Sequence, residues 1–258
     1  MNCSAFDWQQ NLTQLHPGFA AIKHSLTPFQ QHQKFPSINE YNQHAKNIIN
    51  ANNQTIQFTQ QAASCNEHYE QKIYETGQVN TRENNWHDFF NYCVWQTFPV
   101  AKTVINQLQY QDLQKQQFVK TRTPRQNFLT QFDESGVIIV SRNPQLIDLL
   151  QNHQWQALFW EQRESLQQDM QFMVFGHAIY EKLLSPYIGL TAKGIILERT
   201  DAENIDEYLA EYLQNLSNCR AKDLQPVPLL GLPGWHVNTD NPEFYLDEGY
   251  FRGRASIL

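Results

Sequence analysis

The chain has 258 residues, 41% hydrophobic and 17% charged, with a net charge of -7. A chain of this length buries a sizeable core without disulfide or metal staples. Its acidic balance and its lack of any extended Lys/Arg cluster disfavour a broad phosphate-binding surface, so no nucleic-acid partner is expected.

No run approaches the ~20 apolar residues of a membrane helix, so no membrane partner is expected. Met1 to Gln10 lack the basic start and apolar core of a signal peptide. Cys3, Cys65, Cys93 and Cys219 form no C-x-x-C pair, and their scatter fits reduced thiols in a cytoplasmic protein. The expected fold class is mainly α (α+β). Residues 1–36 read as an N-terminal strap. Residues 37–258 read as a single globular domain with a few short strands and a Pro/Gly-rich C-terminal strap. Nothing in the sequence sets the oligomeric state.

Pro17, Pro28 and Pro36 cut the first segment into short pieces. Ser37 and Glu40 have capping-box spacing, which predicts a helix to about Asn50. Thr55 to Phe58 and Glu70 to Tyr74 alternate, predicting two short strands that pair as an antiparallel ribbon. Asn84 or Asn85 then caps a long central helix, 85–108. One face carries Trp86, Phe89, Phe90, Cys93, Val94, Thr97, Ala101, Val104, Ile105 and Leu108, a core stripe at helical spacing. A second stripe reads His87, Asn91, Trp95, Phe98, Lys102 and Asn106. A solvated face would carry Glu, Lys and Gln, so this second line points to a polar pocket. Pro99 removes an amide donor and predicts a kink or break there.

Pro124 begins the next helix, and Asp133 to Gly136 have turn chemistry. Val137 to Val140 read as a buried strand. Asn143-Pro144 opens a short helix through Leu150, and Trp155 to Leu166 form another. Met170 to Leu184 are predicted as one helix ended by Pro186. Ile195 to Leu197 read as a strand, and Ala202 to Leu216 as a helix.

Several phrases occur together along the chain. They are Trp86-His87-Asp88-Phe89-Phe90-Asn91 with Trp95, Phe98-Pro99, Lys102 and Asn106, then Phe132-Asp133-Glu134 before Gly136. Gly176-His177-Ala178 with Glu181-Lys182, Pro186-Tyr187, Leu230-Gly231 and Pro233-Gly234-Trp235 follow. Phe244-Tyr245, Asp247 and Phe251-Arg252 close the set. In this order they resemble the bacterial domain-of-unknown-function family numbered 3025. Arg252-Gly253 departs from the Arg-Pro common there. The resemblance implies no activity, cofactor or catalytic residue.

The residues themselves point to chemistry. His87, Asp88, His177, Glu181, Asp133 and Glu134 are the candidate catalytic set. His177 and Glu181 are four apart and share one helix face. Two imidazoles and a carboxylate are a common metal ligand set, so His87, His177 and Glu181 are also the candidate ligands of a divalent metal. The metal-free version uses His87 or His177 as acid/base beside an anion-binding cation. Asn91, Trp95, Lys102, Asn106, Arg125 and Arg163 are the candidate ligand-binding residues, with a small molecule as partner. Cys93 lies on the core stripe and reads as a buried hydrophobe. No nucleophile elbow, Walker loop or H-E-x-x-H is present. Two functions stay open: an enzyme, hydrolytic in type, or a non-catalytic module that binds a ligand or protein in the same pocket. A joint site needs His87 and His177 to meet, since side chains more than ~10 Å apart are beyond joint metal-ligand reach; otherwise the pocket is to be sought around Trp95, Lys102 and Arg125.

Overall fold

The computed structural model describes residues 7–60, 68–115, 121–199 and 202–253. Short helices α1 (Leu12–Leu15) and α2 (Lys23–Leu26) flank a 3₁₀ turn, Pro17–Ile22. α3 (Ile38–His44) starts on the Ser37–Glu40 capping box, as expected. It stops well before Asn50. The Asn50 side chain instead accepts from Asn52 and Gln54 amides and donates to the Ile73 and Tyr74 carbonyls. That turn leads into β1 (Gln57–Gln60).

The expected second strand is a helix, α4 (Tyr69–Thr76), ended by Gly77 in the left-handed conformation at φ 73°. Five alternating residues are too few to separate the two periods, and the glycine C-cap was the better signal. The partner of β1 is β2 (Gln78–Thr81), and the pair is parallel, not an antiparallel ribbon. The helix between them supplies the crossover that parallel pairing needs.

The central helix divides at Phe98 into α5 (Trp86–Thr97) and α6 (Pro99–Lys115). Asn85 caps α5 through the Asp88 amide. The new N-terminus at Pro99 is capped from elsewhere in the chain. Asp206 accepts from the Val100 and Ala101 amides, both at 2.8 Å. α7 (Pro124–Ser135) begins on a Thr123–Gln126 capping box and runs directly into β3 (Gly136–Ser141). The turn expected at Asp133–Gly136 is absent, because the Asp133 carboxylate pairs with Lys102 instead of folding back on its own backbone.

α8 (Pro144–Gln151) is capped by Asn143. A π-helical turn, Ala157–Glu161, and α9 (Arg163–Asp169) replace the single helix expected at Trp155–Leu166. Met170–Leu184 also divides, into β4 (Met170–Val174) and α10 (His177–Leu183). β4 is drawn into a sheet by β3, a long-range pairing that helical periodicity does not register. Gly176 marks the change of direction. A Cβ there would lie 2.5 Å or less from backbone atoms of Glu134 and Gly136, so this crossing needs glycine. β5 (Thr191–Leu197), α11 (Ile205–Gln214) and β6 (Gln225–Pro228) follow.

The second sheet has the order β4-β3-β5-β6, with β3 and β5 parallel and the outer strands antiparallel to them. Every residue of β3 is buried. Pro226 and Pro228 lie in β6, an edge strand, where a missing amide is tolerated. The chain is thus mainly α with some β. One cluster of buried side chains runs from Leu12 to Phe251 and is densest around α5. There Phe89, Phe90 and Tyr92 meet Phe19, Phe29, Tyr41, Phe58 and Tyr180. The last segment is bound into the body by Tyr250, which donates to the Leu190 carbonyl, and by Trp155, which donates to that of Arg252. Cys93 and Cys219 are buried thiols; Cys3 and Cys65 lie outside the described residues. Among the described residues no helix is long and apolar enough to cross a membrane.

The Asp206 bridge does two jobs, capping α6 and fastening α11 to it. Asp206→Ala is expected to cost about 1–2 kcal/mol, the price of a lost cap, as read by urea denaturation.

Candidate functional site

Four helices converge on the second stripe: α5, α6, α7 and α10 pack against one another. The break at Pro99 does not interrupt the stripe. Lys102, on α6, donates to Asn91 of α5 at 3.1 Å and to Asp133 of α7 at 2.6 Å. Its ammonium also stands 5.2 Å from the Trp95 ring centroid. The lysine side chain is only 5% exposed. A buried ammonium is tolerated when it is paired and hydrogen-bonded, and here all three kinds of contact are present. Asn91 in turn donates to the Tyr69 hydroxyl, and Asn106 donates to the carboxylate of Glu70 at 2.7 Å.

From Asp133 the network turns toward the surface. Its second carboxylate oxygen lies 3.6 Å from His177 Nδ1. His177 Nε2 is 3.0 Å from His87 Nε2, and His87 Nδ1 is 3.2 Å from Glu181. The order along this line is Lys102, Asp133, His177, His87, Glu181. The two ends differ in exposure: the Lys102, Asp133 and His177 side chains are 5%, 15% and 8% exposed, and His87 and Glu181 are about a third exposed. The two imidazoles required by the sequence reading are therefore in direct contact.

Burial and neighbouring charge set the protonation of the line. Burial alone would raise Asp133, but the Lys102 ammonium, with His177 and His87, overrides it and holds the carboxyl below its ordinary range. Burial pulls His177 down to about 4, helped by Lys102 and His87 and opposed by Asp133. The hydrogen bond from His87 holds Glu181 below the usual carboxylate range against partial burial. Burial pushes Glu70 upward. Tyr69 keeps 40% of its surface in solvent, yet its hydroxyl end faces Asn91 and is desolvated, which raises it well above the ordinary phenol range.

His177 Nδ1, Trp95 Nε1 and Asn106 Oδ1 are buried without a hydrogen-bond partner among the described residues. All three belong to this network.

Other predicted residues lie outside the line. Asp88 is engaged by Arg82, through its amide and its guanidinium. Glu134 is exposed. Arg125 pairs with Asp112, and Arg163 with Asp240 and the Thr239 carbonyl; neither contacts the histidines. Glu181 sits on His87 Nδ1, behind the ring edge that faces His177. Among the described residues no three His, Cys, Asp or Glu side chains are grouped to hold a metal ion. Sequence reasoning missed Tyr69, Glu70 and Arg82. Glu70 was hidden by reading Glu70 to Tyr74 as a strand; Gly77 at its end was the available signal for a helix.

Residues 56–255 match the family described as Protein of unknown function (DUF3025), and the chain belongs to that family. The matched span contains the whole Lys102–Glu181 line. No curated protein and no solved structure matches the chain significantly.

Lys102→Met leaves the Asp133 carboxylate buried and unpaired, with an expected cost of about 3–5 kcal/mol. Adding Asp133→Leu should recover much of that loss, and a double-mutant cycle by chemical denaturation reads the coupling. His177 gives a pH dependence of known sign. It is neutral in the folded chain down to about 4, whereas the unfolded chain protonates it near its ordinary value of 6.5. The unfolded state then binds more protons, so stability falls on acidification between those two values. The pH slope of stability in that window should be shallower in His177→Gln than in the parent chain.

Proposed function

We propose that the chain is a cytoplasmic acid–base enzyme, hydrolytic in type, whose proton-handling group is the Glu181–His87 end of the buried line. The observation that carries this reading is the pair of imidazoles in contact at 3.0 Å, with a carboxylate behind each outer nitrogen. A carboxylate behind an imidazole fixes its tautomer and stabilises its charged form, which is what general acid–base work requires. Glu181 is the group with access to a substrate, since it is partly exposed and only one of its oxygens is engaged by His87. His177, Asp133 and Lys102 lie deeper and act through it.

Small ester, amide and phosphoester substrates test the idea. Glu181→Gln and His87→Gln should each lower turnover about 10²–10⁴-fold while the circular dichroism spectrum is kept. Wild-type rates in both variants would overturn the reading. Metal analysis of the same samples separates a metal-free site from one in which His87 and His177 would hold a divalent ion.

A second reading is a non-catalytic pocket for a small ligand. In its favour, both ring nitrogens of His87 are already occupied within the protein. Ligand-dependent thermal stabilisation without turnover in the same screen would select it.

A further inference from the structure

Arg82 lies between the end of β2 and the start of α5, just ahead of the turn that carries His87. It is more than a loose surface charge. Its Nε and Nη2 donate to the two oxygens of Asp88, both at 2.9 Å, and its own amide donates to Asp88 at 2.6 Å. An acid at the third position of a helix commonly reaches back to the N-cap amide. Asp88 holds that position in α5 and gives both its oxygens to Arg82 instead.

The pair is lopsided in exposure. The Asp88 side chain is 12% exposed and that of Arg82 is 53% exposed. One edge of the guanidinium is therefore pinned to the protein. On the other edge, Nη1 takes part in none of these bonds, and the second hydrogen of Nη2 has only the Asn85 oxygen at 3.5 Å, beyond good hydrogen-bond range.

This open edge stands at the accessible end of the line. His87, next to Asp88 in α5, meets Glu181 of α10. Asp88 does most to hold the Arg82 guanidinium charged, and Glu181 adds to it across the same mouth. Arg125 and Arg163 pair elsewhere and leave this position to Arg82. A guanidinium presents N–H groups in a fixed fork that matches the two oxygens of a carboxylate or phosphate. Pinning it in advance removes much of the rotamer cost that a free arginine bears on binding.

We propose that Arg82 selects the substrate, by binding a carboxylate or phosphate group on the molecule whose reacting bond lies at Glu181 and His87. The inference rests on the enzyme reading above and narrows its substrate class. The negative charge of Glu181 steers the anionic end to the guanidinium and leaves the carboxylate side for a neutral bond. The substrate is then an ester or amide with one oxyanion as a separate handle. Asp88 touches no substrate in this scheme and is a positioning residue for Arg82.

Two esters with the same leaving group test the proposal on the full-length chain. They are 4-nitrophenyl acetate, which is neutral, and mono(4-nitrophenyl) succinate, which carries a free carboxylate. Free succinate and inorganic phosphate serve as competitors and tell a carboxylate site from a phosphate site. The expected result is a higher kcat/KM for the succinate ester, or inhibition by phosphate, with either effect reduced about 10–100-fold in Arg82→Gln. Asp88→Asn should raise KM for the succinate ester more than for the acetate, since the guanidinium keeps its charge and loses its hold. Equal kcat/KM for the two esters together with no inhibition by either anion would overturn the proposal, and that comparison needs only the wild-type chain. An anion preference that survives Arg82→Gln would overturn it too. So would an equal loss in Lys182→Gln, which removes an exposed charge beside Glu181. Titration calorimetry with the two anions separates the proposal from the reading it rests on. Anion binding that needs Arg82, in a chain that turns over neither ester, keeps the subsite and sinks the enzyme. Turnover of both esters without any anion effect does the reverse.

Discussion

A buried ammonium at Lys102 is the constraint on which much of the structure depends. A lysine with a 5% exposed side chain is untenable without a counter-charge and hydrogen-bond acceptors. Asp133 supplies the charge and Asn91 the second acceptor, so α5, α6 and α7 are held in one relative position. Asp133 reaches Lys102 from the last turn of α7, which runs directly into β3. Once it does, the junction of α7 and β3 meets the start of α10, where Gly176 allows the close crossing that brings His177 beside Asp133. The site thus follows from satisfying one buried charge.

The break at Pro99 belongs to the same scheme. There the central helix divides at Phe98. Dividing it exposes a new helix N-terminus, and Asp206 satisfies the amides there from a distant helix. Fold and site therefore share residues: removing Asp206 loosens the helix that holds Lys102.

Much of this was legible in the residues. The capping boxes at Ser37 and Thr123, the cap at Asn143, the break at Pro99 and the buried run Val137–Val140 are local signals that the structure realises. The second stripe was legible too, since His, Asn, Trp and Lys on one line do not suit solvent. The elements misread were those whose state is decided by a distant partner. Met170–Val174 has apolar residues compatible with a helix and becomes a strand because β3 pairs with it. Asp133 has the chemistry of a turn and ends a helix because Lys102 takes its carboxylate. Arg125 and Arg163 have the charge of ligand-binding residues and are consumed by Asp112 and Asp240.

By itself, the sequence determined the class of the chain, the position of its central helix and the unusual residue types of its second stripe, because periodicity, capping and proline geometry act over a few residues. Only the tertiary structure decided that His87 and His177, 90 residues apart, touch at 3.0 Å, and that Glu181 and Asp133 stand behind them. Those contacts are made by packing four helices around one buried charge, and no local spacing encodes which faces meet.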